Sequence, residues 1–426
     1  LAIPRGVTRL HLLAGEIAFV EGRGIQRINA PAWTHLPDDR ALTLVYRVRQ
    51  RLIRRFEDSP NGIRDAILAA YVEDRARLRS AGRDCAGVQI DFDCPTRLLD
   101  AYAAFLEQLD REVDEPITIT TLPTWLGSPS FEAVARACDG LIAQMYAMTL
   151  PTDDEDTPAL TSLADIDRWL DGYADLETAT GTPYAVALPT YGHVLIFGPG
   201  GERLSIAGDL GPTEAYSKSD LKPAAPPMND ELHTQHRFHG PNGRSLRIVH
   251  VHAVGLAKML RCVAERPRVG CEAIALFRLG EPQAELTLGV GSIEAALAAA
   301  FDSPGPAIEA LVHAELADRP DGRGLRLDIR NDGTAGWPTV DDPNPVRLRV
   351  DPPARIWMHQ PTGEPYRVVR YRDGSEVDPS ALCDRIAVEV PYLGPGRVIA
   401  VPIIRALEPA SARISLADAP NASPPE

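Results

Sequence analysis

The chain has 426 residues, 44% hydrophobic and 24% charged, which is enough apolar material for a large core and too much chain for one ordinary domain. A formal charge of −15 with scattered basic residues excludes a nucleic-acid partner, whose phosphates need concentrated Lys and Arg. No apolar run reaches the length of a membrane-spanning helix, and 33 glycines and 38 prolines against 6% aromatics favour loops and turns over long helical bundles.

Short apolar runs occur at residues 10–17, 41–48, 87–93, 117–122, 141–146, 184–190 and 273–279. Amphipathic stretches lie between several of them, at 62–78, 97–109, 131–138, 163–173, 254–264 and 292–300. Strand, helix and strand in repetition predict a parallel sheet with helical crossovers. No Gly-rich phosphate loop follows any strand, so the expectation is a (β/α)8 barrel of the TIM type over 1–305, one strand short. The absent strand is expected upstream of Leu1, in a chain that is processed or part of something longer.

Residues 198–250 break the rhythm with Gly, Pro and four histidines (His233, His236, His239 and His250), and read as a long loop on the active-site side. The histidine spacing suits no standard metal motif. Alternation resumes at 325–330, and short strands at 346–350, 356–359, 366–371, 386–390 and 398–404 predict a small all-β sandwich (Ig-like) over 322–407. The tail, 408–426, is proline-rich and expected to be disordered. Six cysteines show no CxxC spacing, so no metal and no cofactor are expected. Cys262 and Cys271 flank a turn and are compatible with either a disulfide or buried thiols.

The segment Gly87-Val88-Gln89-Ile90-Asp91-Phe92-Asp93-Cys94-Pro95 carries the most chemistry. Alternation aims Val88, Ile90 and Phe92 at the helices and Gln89, Asp91 and Asp93 at the barrel interior. Carboxyls at i and i+2 stand roughly 6–7 Å apart, so one tends to keep its proton while the other ionises. Protonating a glycosidic oxygen needs such a pair, and polar anchoring of neighbouring strands is the structural alternative.

This segment resembles the D-G-x-D-x-D-x-E motif of chitinase-like family 18 glycoside hydrolases. The resemblance places Asp93 at the general acid, Asp91 at its assisting carboxylate and Gln89 at the outermost Asp. Gln144-Met145-Tyr146 is similar to that family's M-x-Y-D element, and Leu188-Pro189-Thr190-Tyr191-Gly192-His193 to its G-x-P-x-Y-G-R element. Together VQIDFDCP, TLPTW and ALPTYGH look like the bacterial proteins grouped as domain of unknown function 3142 (DUF3142), a likeness over most of 8–280. Asp93 is one methylene shorter than the family's Glu, and Ala147 stands where its acetamido-binding Asp would be. These departures imply a different substrate, or a site that binds without cleaving.

Other strand ends offer further substrate contacts. Glu16 closes the face Leu10-Leu12-Ala14-Glu16, and Arg47 follows Thr43 and Val45. The arginine run from Arg47 to Arg55 reads otherwise as a solvated helix start. Trp125 is placed to stack on a sugar or to cover the rim. Tyr146, Tyr191 and His193 are candidate sugar contacts, and Arg278 is expected to pair with Asp91, Asp93 or Glu16. The expected function is a glycoside hydrolase with a carbohydrate partner, in the cell envelope, periplasm or outside the cell. The alternatives are a non-catalytic glycan-binding barrel and a structural or assembly protein.

Overall fold

In a computed structural model of the chain, the described residues are all except 1–2, 32–39, 148–149, 157–158, 208–209, 219, 267, 280–283, 319–323, 338–345, 352–364, 374, 379–382, 384, 405–412 and 417–426. Seven strands come first: β1 (Arg9–Val20), β2 (Gly24–Ile28), β3 (Ala41–Val48), β4 (Gly87–Asp91), β5 (Ile117–Thr121), β6 (Gly140–Gln144) and β7 (Tyr184–Pro189). Six more follow, β8 (Gly192–Phe197), β9 (Arg203–Ala207), β10 (Lys222–Pro223), β11 (Met228–Asn229), β12 (His233–His239) and β13 (Ser245–Val251), before β14 (Cys271–Phe277). The helices are α1 (Ile53–Asp58), α2 (Asn61–Ser80), α3 (Leu99–Asp110), α4 (Pro129–Arg136), α5 (Leu163–Thr180), α6 (Pro212–Ser217), α7 (Ala253–Glu265) and α8 (Val290–Ala300).

The first sheet has the order β14-β7-β6-β5-β4-β3-β1-β2, parallel at every step from β1 to β7. Consecutive parallel strands are neighbours and the order never reverses, so the mixed α/β sheet is wound in one direction and has no switch point. The outer edge of β1 is taken by β2, running antiparallel, where a strand upstream of Leu1 was expected. The chain folds back here because Arg23 N–H bonds Val20 O at 3.0 Å across a tight turn with Gly22 at φ 75°.

The helices bury one face each. In α3, Leu99, Tyr102, Ala103, Phe105, Leu106 and Leu109 are buried at three- and four-residue spacing. Phe56, Phe92, Tyr102, Phe105, Trp125 and Phe131 form one chain of ring contacts with centroids 5.0–6.2 Å apart. Helix α5 starts where Ser162 Oγ accepts the Asp165 N–H (3.1 Å) and ends at left-handed Gly181.

By contacts the chain divides into two compact units, Leu1–Met148 with Thr161–Leu188 and Met259–Phe277, and Thr149–Leu160 with Pro189–Lys258 and Arg278–Glu426. Most of 198–250 is therefore not a loop. It builds a six-stranded antiparallel sheet, order β10-β12-β13-β8-β9 with β11 on β12. Polar residues disguised it, since His233, Thr234, Gln235 and His236 of β12 are all buried. Downstream, β15 (Val312–Asp318) and β16 (Gly324–Asn331) pair, followed in the chain by β17 (Val346–Asp351), β18 (Arg367–Arg372), β19 (Ser375–Glu376), β20 (Arg385–Val390), β21 (Val398–Ile404) and β22 (Arg413–Leu416). They form a three-stranded sheet, β15-β16-β21, and a five-stranded sheet, β19-β18-β20-β17-β22. Leu327, Ile329, Ile399 and Val401 from the first share a core with Leu348, Val368, Ile386 and Val388 from the second. Within the tail expected to be disordered, β22 pairs with β17, and the strand expected at 356–359 lies outside the described residues. Cys262 and Cys271 are separate thiols.

Candidate functional site

On β4, Val88 and Ile90 are fully buried and Phe92 joins the aromatic cluster beneath the helices, which leaves Gln89, Asp91 and Asp93 the opposite face. Strand register brings three charges into one row, because Glu16 is the partner of Arg47 and Arg47 is the partner of Asp91. The row lies toward the carboxyl ends of β3 and β4, the edge at which parallel α/β sheets carry their sites. Arg47 Nε is 3.6 Å from Asp91 Oδ2, and Arg49 Nη2 is 2.7 Å from Glu16 Oε2. Glu16 reaches this row by a bulge between Leu13 and Gly15, which moves it off the Leu10–Leu12 face and onto that of His11.

The carboxyls differ in environment. The hydrogen bond from Arg49 holds Glu16 below the usual carboxylate range, with a second from Asn29 assisting against desolvation. Burial pushes Asp91 upward; Arg47 and a hydrogen bond with Thr120 oppose the rise, and the charge of Asp93 adds to it. Asp93 is half-buried, and its Oδ2 accepts from Gln50 Nε2 at 3.3 Å. Below them Gln89, 6% exposed, donates to Thr120 Oγ1 (2.8 Å) and takes His11 Nδ1 on its Oε1 (2.5 Å). A donating His11 Nδ1 fixes that ring's tautomer. Chemically this is a pair of carboxyls on one strand face, one of them raised by burial, with a guanidinium beside it.

The remaining candidates fall into separate groups. Gln144 Nε2 donates to Tyr146 O (3.3 Å), and the Tyr146 ring stacks on Phe277 with centroids 5.5 Å apart. Trp125 is fully buried, its indole N–H donating to Cys94 O (2.9 Å), so the ring belongs to the helical-layer core and offers no face to a sugar. In the second unit Tyr191 Oη is 3.2 Å from His193 Nε2, and the Arg278 guanidinium lies 6.0 Å from the Tyr191 ring centre. Burial, with Arg278 adding to it, holds His193 down to about 4. The guanidiniums beside Asp91 and Glu16 are Arg47 and Arg49, two members of the run read as a solvated helix start.

Sequence reading missed His11, Gln50 and Thr120. His11 and Thr120 are visible as polar residues at alternate positions in otherwise apolar strands, whereas Gln50 sits in a turn and carries no such mark. Among the described residues no three His, Cys, Asp or Glu side chains stand close enough to hold a metal. Also among them, no helix is long and apolar enough to cross a membrane.

Residues 38–210 match the family model described as Domain of unknown function (DUF3142). Over those residues the chain is similar to the DUF3142 family. The DUF3142 segment contains Arg47, Asp91, Asp93, Gln144, Tyr146 and His193. No curated protein matches the sequence. Among solved structures, the spore cortex-lytic enzyme SleL of Bacillus megaterium is similar at 13% identity and a TM-score of 0.41, covering 63% of this chain and 63% of that one. A chitinase from Chromobacterium violaceum matches at 13% identity and a TM-score of 0.41, over 61% of this chain and 80% of its own. Ostrinia furnacalis Group IV chitinase matches at 12% identity and a TM-score of 0.37, over 61% and 80%. The chain thus spans less than two thirds of the SleL enzyme.

Proposed function

We propose that the protein is a glycoside hydrolase acting on a poly- or oligosaccharide, with Asp93 and Asp91 as its acid pair. The observation that carries this reading is the pairing of two carboxyls two residues apart on one strand face: Asp91, raised by burial and set beside Arg47, and the half-buried Asp93, held by Gln50. In this reading Asp93 delivers the proton to the leaving oxygen, and Asp91 is its electrostatic partner. Gln89 keeps Asp91 in place from below through Thr120, and Gln144 and Tyr146 contact the sugar. Tyr191, His193 and Arg278 are further proposed contacts, untied to any one subsite.

The finer architecture belongs to the same proposal. A (β/α) barrel with β2 in the eighth position agrees with the one-way strand order and with His11 of β1 reaching Gln89 of β4 past the intervening β3. The two C-terminal sheets with their common core are then a β-sandwich domain, and a polysaccharide target fits the cell envelope or exterior.

One observation favours a binding-only site: Arg47 stands 3.6 Å from Asp91 and stabilises its charge, which weakens the dyad as an acid. The deciding assay is reducing-sugar release from bacterial and β-linked polysaccharides by wild type and Asp93→Asn. Release that falls at least 100-fold in the variant supports the hydrolase. Saccharide binding by calorimetry with no release from any polymer replaces it with the binding reading.

A further inference from the structure

We propose that the second unit holds a separate site for a small, uncharged, hydroxylated ring molecule, in a cavity of about 280 Å³ lined by β12, β13, the start of α8 and the 392–397 turn. The size sets the first limit. A cavity of about 150 Å³ accommodates a benzene ring, and drug-sized pockets begin at about 300 Å³, so this space suits one substituted six-membered ring.

The charges set the second. Glu285 Oε1 is 3.2 Å from Arg397 Nε, and its Oε2 accepts the Thr213 N–H at 2.8 Å, so this ion pair in the lining is satisfied by the protein. His252 accepts the Gly255 N–H on Nδ1 (2.9 Å) and faces Asp230 O with Nε2 (3.1 Å), an arrangement that requires the neutral ring. His250, also lining the cavity, is buried with Nε2 3.3 Å from His236 Nε2, and two such nitrogens cannot both carry a proton. Glu309 at the exposed rim discourages an anion. An anionic ligand would therefore be desolvated without a counter-charge, and a cation would find Glu309 in solvent at the rim, outside the buried lining.

The lining is nevertheless polar enough to penalise a purely apolar ligand. The Thr234 hydroxyl donates to Asn229 Oδ1 at 2.7 Å, which leaves the Asn229 NH2 as a donor, and Thr287 contributes a nearly buried hydroxyl. Tyr392, 4% exposed, supplies an aromatic wall beside Val251 and Ala253. Apolar faces with hydroxyls around the rim match that combination. Room is left at Gly289, where an added Cβ meets nothing within 4 Å and the backbone (φ −69°, ψ 162°) accepts any residue.

The test uses the full chain and calorimetric titration with glucose, N-acetylglucosamine and myo-inositol, and with glucuronate and glucosamine as charged counterparts. At least one neutral compound should bind wild type and Asp93→Asn alike, at least 10-fold more weakly to Gly289→Leu, and several-fold more weakly to Thr287→Val. The charged counterparts should bind at least 10-fold more weakly than the neutral one. Circular dichroism establishes that each variant is folded, and Thr287→Val decides if Gly289→Leu is not. Three results overturn the proposal: no neutral ring bound at millimolar concentration, the cavity then holding water only; binding unchanged in a folded cavity variant; or tighter binding of a charged compound. Binding lost in Asp93→Asn instead would assign the saccharide to the first site and also overturn this one.

Discussion

A carboxyl crowded by protein and set two residues from another carboxyl, as Asp91 is, loses more by ionising in the folded chain than in the unfolded one. Its folded pKa lies above the ordinary value of 3.8, so the unfolded state ionises first as pH rises, and the folded state loses relative stability across that window. Asp91→Asn should therefore raise Tm at pH 7, with the gain shrinking toward pH 3.5. Melting curves at the two pH values check this, and a variant that melts lower at pH 7 sinks it. Trp125→Ala should cost about 3–5 kcal/mol in urea unfolding through loss of core packing. In the milder Trp125→Phe, saccharide affinity should stay that of wild type, whereas a stacking role would lower it. At this scale the strand pattern disclosed Asp91, Asp93 and their face. It misassigned Trp125, because a ring that follows a strand end looks alike whether it turns toward ligand or helices. It also misphased Glu16, because Gly15, at φ 152° with Arg27 where a Cβ would stand, introduces a bulge that alternation does not reveal.

Among elements, the β12–β13 hairpin carries the clearest titration. His236 on β12 and His250 on β13 are stacked with ring centres 5.5 Å apart, and both rings touch Tyr392. Burial, reinforced by the neighbouring His252, lowers His250 from 6.5 to about 4. Burial and the neighbouring His250 hold His236 well below 6.5 as well. Both rings are neutral when folded, while the unfolded chain takes up protons below its ordinary value. Stability should therefore fall as pH drops from about 6.5 toward 4, by about 1.4 kcal/mol per pH unit for each histidine. Chemical denaturation of wild type and His250→Gln at pH 7, 6 and 5 measures it, and parallel curves would remove the hairpin as the cause. The parallel strands were readable because burial on both faces leaves unbroken apolar runs such as Leu141-Ile142-Ala143. This hairpin was not, since His233, Thr234, Gln235 and His236 satisfy buried polar positions that a hydrophobicity pattern takes for loop.

For the molecule as a whole, the two compact units are not two consecutive stretches of sequence. The chain passes from one to the other after Met148, Leu160, Leu188, Lys258 and Phe277. Tyr392 packs in one cluster with Val194, Tyr216, Phe238, Leu246, Ile248 and Leu286, so the β8–β13 sheet is completed by residues far downstream. A fragment ending at residue 305, where the first domain was expected to end, should therefore bind a hydrophobic dye and aggregate, while the full chain does neither. A monomeric fragment with cooperative melting would contradict this. The interleaving also orders events during synthesis. The first unit's last segment ends at Phe277, whereas Tyr392 is added more than a hundred residues later. At about 5–20 residues per second, the β8–β13 sheet spends on the order of ten seconds on each ribosome with its apolar face bare. Slower codons beyond Phe277 would lengthen that exposure, and chaperone demand should follow translation speed there more closely than anywhere earlier in the message.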